Sequence, residues 1–208
     1  MTEKIFAVDV DSTLADTMPL WVDEYNRKFD GTKPKVSVQD IKKWKLSEIF
    51  AIDERTVTIL FGKAWKRWKE VKPVDEYAIP VLQEFKKVHK EWKIHIITAQ
   101  TKLTIHNVLR WIYKNRIPFD YFSYLPARKG THYKELMPFH VIIDDNLETV
   151  SRIHKTIVRK ALLYSRPWNE MPDNDFTYYG LRDIPRIRKW NEVLFHPLFE
   201  EVDRLHVK

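Results

Sequence analysis

The sequence predicts an α/β protein built on a parallel sheet, with a small helical cap inserted after the first strand. Three observations carry this expectation. Five short apolar runs rich in β-branched or aromatic residues read as strands. Helical spacing fills most of the intervals between them, as right-handed crossovers require. One interval is far too long for a simple crossover and holds helical patterns of its own.

The first run, Ile5–Val8, ends at Asp9, and a second carboxylate follows at Asp11. About 85 residues separate it from the next run, Ile94–Ile97, against the ~30 of a complete βαβ unit. The excess contains two helical patterns, "MPLWVDEYNRKF" (Met18–Phe29) and "ERTVTILFGKAWKRWKEV" (Glu54–Val71), joined by a loop over "GTKPKVSVQD". The expected organisation is therefore a core of residues 1–16 and 75–208 with an insert of residues 17–74. Within the core, helices are expected over Ala78–Trp92, where Pro80 sits harmlessly in the first turn, and over Lys102–Asn115. Strands are expected at Tyr121–Leu125, Val141–Ile143 and Ala161–Tyr164, followed by a Pro-rich aromatic tail and a helix in "RIRKWNEVLF".

Composition narrows the chemistry. The 208-residue chain has no cysteine, which excludes disulfides, thiolate metal sites and cysteine nucleophiles. No two of its eight histidines have HExxH spacing. No apolar run approaches the ~20 residues of a membrane span, and "MTEKIFAVDVD" lacks a signal-peptide pattern. A soluble, cytoplasmic protein is the expectation. The net charge of +7 suits phosphorylated small molecules as well as nucleic acid.

The polar residues at the strand ends are more specific. Asp9 ends the first strand and Thr98 the second; Lys129 lies just past the third, and Asp144 and Asp145 end the fourth. In a parallel sheet these ends share one edge, where ligands bind at the topological switch point. Carboxylates gathered there repel one another unless a cation sits among them. Magnesium, with its preference for one or two carboxylates plus phosphate oxygens, fits such a place. Asp9 and Asp144, helped by the Asp11 backbone carbonyl, are the expected Mg²⁺ ligands. Asp9 is the candidate nucleophile for an aspartyl-phosphate, and Asp11 the candidate acid and base. Thr98 would donate to the phosphoryl oxygens and a lysine would neutralise their charge. An Asp-x-Asp before Ser-Thr also makes a turn or helix cap. Two acid pairs with Thr98 and Lys129 at the strands between them are harder to ascribe to caps.

"DVDSTLAD", "IITAQ", a following lysine and "VIIDDN" resemble, in order, the four motifs of the haloacid dehalogenase-like phosphatase superfamily, over roughly Ile5 to Asn146. "DSTLAD" before a helical insert, "IKKWKLSEIF" within it and "ALLYSRPWN" after the last motif are similar to the 5′(3′)-deoxyribonucleotidase-like family. The resemblance implies a Rossmann-like core under a helical cap and Mg²⁺-dependent removal of phosphate from a nucleoside monophosphate, with Asp9 as nucleophile and Asp11 as acid/base. Ser12, Thr13 and Ala99 are the expected substrate contacts beside these motifs. The family usually has glycine where Ser12 stands. For the lysine, Lys129 is favoured by its place at the strand end, while Lys134 has the more usual offset before Asp144 but reads as an exposed helix residue.

Of the insert's aromatics, most are expected to form its own core; Trp44 and Phe50, which flank a loop, are the expected ligand contacts, with stacking worth ~1–3 kcal/mol per base. Arg166 is expected to pair with a carboxylate. Two other readings stay open: the same chemistry on another small phosphate ester or a polynucleotide 3′-phosphate end, and a nucleic-acid-binding protein on a phosphatase-like core.

Overall fold

The first strand, β1 (Lys4–Asp9), is buried on both faces from Phe6 onward, as a near-continuous apolar run in the middle of a parallel sheet must be. In this computed structural model, which describes residues 3–126, 130–154, 159–170 and 184–205, a two-residue strand β2 (Ala15–Asp16) follows. The helices α1 (Met18–Lys28), α2 (Leu46–Phe50) and α3 (Glu54–Lys66) come next, then β3 (Lys72–Pro73). The remainder alternates as expected: α4 (Ala78–Val88), β4 (Trp92–Thr98), α5 (Ile105–Lys114), β5 (Tyr121–Tyr124), α6 (Gly130–Leu136), β6 (Val141–Asp144), α7 (Leu147–His154) and β7 (Lys160–Tyr164). It closes with β8 (Arg186–Ile187) and α8 (Pro197–Leu205).

Six strands pair in the order β5-β4-β1-β6-β7-β8, and all of these pairings are parallel. Side chains alternate between the two faces with the period of a strand. Phe6 and Val8 of β1, Ile94 and Ile96 of β4, and Val141 and Ile143 of β6 join one core, with Phe85, Trp92, Trp111 and Phe199. Ala7, Ile97, Ile142, Ala161 and Leu163 face the other, with Val150 and Ile153 of α7. A third cluster belongs to the insert: Met18, Trp21, Val22 and Tyr25 of α1 meet Leu46, Phe50, Leu60 and Ala64, joined by Trp168.

Three expectations are corrected. Trp92 opens β4, pairing opposite Lys4, instead of closing the preceding helix. The helix α3 stops at Lys66, short of Val71. There the chain turns back: Trp111 Nε1 donates to the Val71 carbonyl at 2.9 Å, and Lys72–Pro73 pair antiparallel with Ala15–Asp16. The expected tail helix over residues 186–195 is a strand and a 3₁₀ turn (Trp190–Glu192), because pairing with β7 captures Arg186 and Ile187. The helix begins at Pro197, whose missing N–H costs nothing at that position. The short helix α2 had no expectation at all. Much of the Pro-rich aromatic tail lies outside the described residues.

Candidate active site

From β1 the chain builds outward in one direction, through β4 to β5, and then crosses to build β6, β7 and β8 in the other. The loops leaving β1 and β6 therefore diverge, opening a crevice at the carboxyl edge between them. Asp9 and Asp11 enter it from one side, Asp144 and Asp145 from the other. Carboxylate oxygens of Asp9, Asp144 and Asp145 lie within 4.8 Å of one another, and all three residues are buried.

Among the described residues, a single lysine sits between them. Lys134 Nζ donates to Asp9 Oδ1 and to Asp144 Oδ2, both at 2.6 Å. It is 4% exposed, not the exposed helix residue that its sequence context suggested. The reason is where α6 begins. A Cβ on Gly130 would lie 2.6 Å from the Ala99 Cβ, so the helix starts pressed against the end of β4, and Lys134, one turn on, faces inward. Lys129 lies outside the described residues.

Burial dominates the electrostatics. It raises the Asp9 carboxyl well above the ordinary carboxylate range; Lys134 pulls it down and Asp144, Asp145 and Asp11 push it up further. Burial, reinforced by Asp144, carries Asp145 up to about 7. Burial alone would depress the Lys134 ammonium, but Asp144 and Asp9 outweigh it and hold the lysine above its usual range. Among the described residues, four acids meet one lysine here, so the acids outnumber it. Three hard-oxygen donors within 4.8 Å of one another suit a divalent cation such as Mg²⁺, with Asp9, Asp144 and Asp145 able to hold it.

Asp11 is differently placed. Its Oδ1 accepts from Trp65 Nε1 (2.8 Å) and Thr17 Oγ1 (3.1 Å); its Oδ2 accepts from Gln100 Nε2 (2.9 Å) and Thr98 Oγ1 (3.2 Å). Burial raises this carboxyl and the four donors oppose the rise. The Thr98 hydroxyl is thus directed at Asp11. The loop between Asp9 and β2 is tied by Ser12 N–H to Ala15 O at 2.7 Å and by Leu14 and Ala15 N–H to Val10 O. Ser12 has φ 65°, the left-handed region in which glycine carries no Cβ penalty, which explains why glycine suits that position. The Ser12 Oγ is buried and, among the described residues, has no hydrogen-bond partner. Thr13 Oγ1 donates to Asp145 Oδ1 at 3.3 Å, and its carbonyl accepts from Trp190 Nε1.

Above the acids lies a cleft of about 670 Å³. The core side supplies Asp9, Asp11, Ala99, Gln100, Lys134, Asp144 and Asp145; the insert supplies Trp44, Leu46, Val57 and Phe61. Trp44 thus lines the cleft, and Lys45 beside it pairs with Glu48 at 2.9 Å. Phe50 does not line it. It packs on Tyr25 and Trp21, with ring centroids 4.8 and 5.7 Å away, because its side of α2 faces α1. Phe61, one of the aromatics expected in the insert's own core, borders the cleft in its place. Arg166 pairs with Asp16 at 2.6 Å, the ion-pairing role expected of it, and lies over the Trp168 ring.

Four contributors escaped the sequence reading. Asp145 was visible as the second acid of its pair and Gln100 as the end of "IITAQ". Trp65 and Trp168 carry no local signal. Trp168 donates to Asp145 Oδ2 at 2.7 Å and packs 6.0 Å from Trp44, so it touches both the acids and the insert.

No protein-family model and no curated protein matches this sequence. Solved structures match its fold. A HAD family hydrolase from Deinococcus radiodurans R1, with bound phosphate and sodium, is 11% identical with a TM-score of 0.61, over 97% of this chain and 96% of that one. A predicted phosphatase from Clostridium acetobutylicum is 16% identical with a TM-score of 0.60, over 93% and 97%. CbbY from Rhodobacter sphaeroides, in complex with phosphate, is 14% identical with a TM-score of 0.58, over 92% and 96%. The six-stranded parallel sheet with its helical insert is therefore the Rossmann-like fold of the haloacid dehalogenase-like hydrolases.

Proposed function

We propose that this protein is a phosphomonoester hydrolase of the haloacid dehalogenase-like type, dependent on a divalent cation and acting on a nucleoside monophosphate. The observation that carries the reading is the Lys134 bridge between Asp9 and Asp144 inside the carboxylate cluster, at the switch point and under the cleft. Residues 17–74 form the cap in this reading, and residues 1–16 and 75–208 the catalytic core.

Asp9 attacks phosphorus, and the bond to the leaving group breaks with its electron pair going to the leaving oxygen. Asp11, as the carboxylic acid, protonates that oxygen. In the second half, Asp11 takes a proton from water as the water attacks the aspartyl-phosphate, which releases Asp9 and inorganic phosphate. Lys134 neutralises charge on the phosphoryl oxygens and opposes the rise that burial imposes on the Asp9 carboxyl, and the Ser12 hydroxyl, which has no partner among the described residues, can donate to one of those oxygens. Thr98 serves the reaction through Asp11. Mg²⁺, held by Asp9, Asp144 and Asp145, would supply further charge neutralisation when bound. Trp44 and Phe61 give the leaving group an aromatic wall that suits a nucleobase.

The test is phosphate release from ribo- and deoxynucleoside 5′- and 3′-monophosphates, with sugar phosphates and a 3′-phosphorylated oligonucleotide as comparators, in Mg²⁺ and in EDTA. Nucleotide turnover that EDTA abolishes supports the reading. Turnover of sugar phosphates alone would remove the nucleotide; turnover of none would remove the phosphatase.

A further inference from the structure

Asp11 is held entirely by donors: a Trp N–H and a Thr hydroxyl on Oδ1, a Gln amide and a Thr hydroxyl on Oδ2. Two of the four, Thr17 and Trp65, belong to the insert, Thr17 as its first residue. Trp65 comes from α3 of the insert, 54 residues along the chain, and is wholly buried. Its ring leaves the insert's cluster, to which Leu60 and Ala64 of the same helix belong, and enters the main core, 6.2 Å from Trp111 in an edge-on contact. The indole is thereby fixed with its N–H on Asp11.

An indole N–H only donates. It can hold a carboxylate oxygen but cannot accept the proton that an acid must hand to a leaving group. The partners of Oδ2, the Gln100 amide and the Thr98 hydroxyl, can each turn an oxygen toward a proton, whereas the indole on Oδ1 cannot, so the proton of the acid form belongs on Oδ2, beside Gln100, which lines the cleft. Asp11 then presents its proton toward the substrate and away from the core.

We propose that Trp65, with Thr17, is a positioning residue that orients Asp11 for protonation of the leaving group, so that a helix of the insert contributes to a proton transfer carried out on the core. This rests on the phosphatase reading above. A positioning role for the acid predicts a dependence on the leaving group, because a phenolate that leaves unaided has little need of an acid. A packing role predicts none.

The experiment compares phenyl phosphate with p-nitrophenyl phosphate, which share a ring shape, in the full-length protein with Mg²⁺. Trp65→Phe, which keeps an aromatic ring without the N–H, is expected to lower kcat/KM for phenyl phosphate at least ~10-fold more than for p-nitrophenyl phosphate. Trp65→His, which retains a ring N–H, should recover part of that ratio. If Trp65→Phe does not fold, Thr17→Val removes the second donor to the same oxygen with little change of shape and should skew the ratio in the same direction. An equal fall on both substrates in the folded variants overturns the proposal and leaves the phosphatase reading standing. A wild-type protein that releases phosphate from neither ester overturns both.

Discussion

The carboxyl edge of the sheet and the helical insert solve opposite problems with opposite chemistry. At the edge, Asp9, Asp144, Asp145 and Lys134 are ionisable groups withdrawn from water, and each is held by partners at hydrogen-bond distance. In the insert, Trp21, Tyr25 and Phe50 pack ring against ring at centroid separations of 4.8–5.7 Å, and its ion pairs lie outside that cluster, with Glu24 the buried acid among them, paired with Arg27 and Arg67. Burying charge costs stability and creates reactivity, whereas burying rings stabilises and supplies shape. The edge should therefore tolerate loss of a charge as a fold and fail as a catalyst. The ring cluster of the insert should tolerate change as a catalyst and fail as a fold.

The sharpest way to break this contrast is Asp9→Asn. Phosphate release should fall by at least ~10⁴-fold, while the melting temperature holds or rises, since one of several mutually repelling buried carboxylates is gone. A variant with normal turnover, measured by phosphate assay alongside a melting curve, would take the nucleophile role from Asp9. The converse is Trp21→Ala in the insert. Removing a wholly buried indole should cost about 3–5 kcal/mol in urea denaturation, while the folded fraction still hydrolyses p-nitrophenyl phosphate.

Gly130→Ala probes the boundary between the two regimes with a single methyl group. Its Cβ would meet the Ala99 Cβ at 2.6 Å, so α6 must shift and Lys134 with it. Because a misplacement of ~1 Å can cost ~10²-fold, kcat should fall by up to that factor with little change in the secondary structure seen by circular dichroism. Trp44→Ala should act on binding instead. Loss of one stacking surface, ~1–3 kcal/mol, raises KM for a nucleotide about tenfold and leaves p-nitrophenyl phosphate nearly unaffected.

The smallest expected effect is electrostatic. Asp9, Asp11 and Asp145 are raised in the folded protein, Asp145 to about 7. The folded state thus keeps protons that the unfolded chain has already given up. Its stability contribution from these groups is full below the ordinary carboxylate range and is lost as pH rises toward about 7. In EDTA the melting temperature should fall between pH 5 and pH 8, and saturating Mg²⁺ should flatten that fall. A metal-free melting temperature that climbs with pH would contradict this account of the carboxylates.

Much of this was legible in the residues. Strands that must be buried on both faces are apolar throughout, so β1, β4, β6 and β7 announced themselves, and the acids and Thr98 that end them followed from position alone. What was missed shares a physical cause. The segments β2, β3 and β8 are two residues long, too short for any periodicity, and exist because a partner strand pairs with them. Phe50 flanks a loop in the sequence and Phe61 sits inside a helical pattern, yet the packing of α2 on α1 turns Phe50 into the insert's core while Phe61 borders the cleft.

The chain's own order of residues determined the α/β class, the long insert after the first strand and the acids that end β1 and β6, because hydrophobic period and strand-end chemistry are local properties. The choice of Lys134 as the cation between Asp9 and Asp144, the seat of Asp145 under Trp168, and the indole of Trp65 on Asp11 were decided only by the tertiary structure. Lys134 and Trp65 depend on the direction in which a helix meets the sheet, and Trp168 on the turn that follows β7. That direction is set by contacts between residues 10 to 125 positions apart, such as Gly130 against Ala99 and Lys134 against Asp9, and no window of sequence contains them.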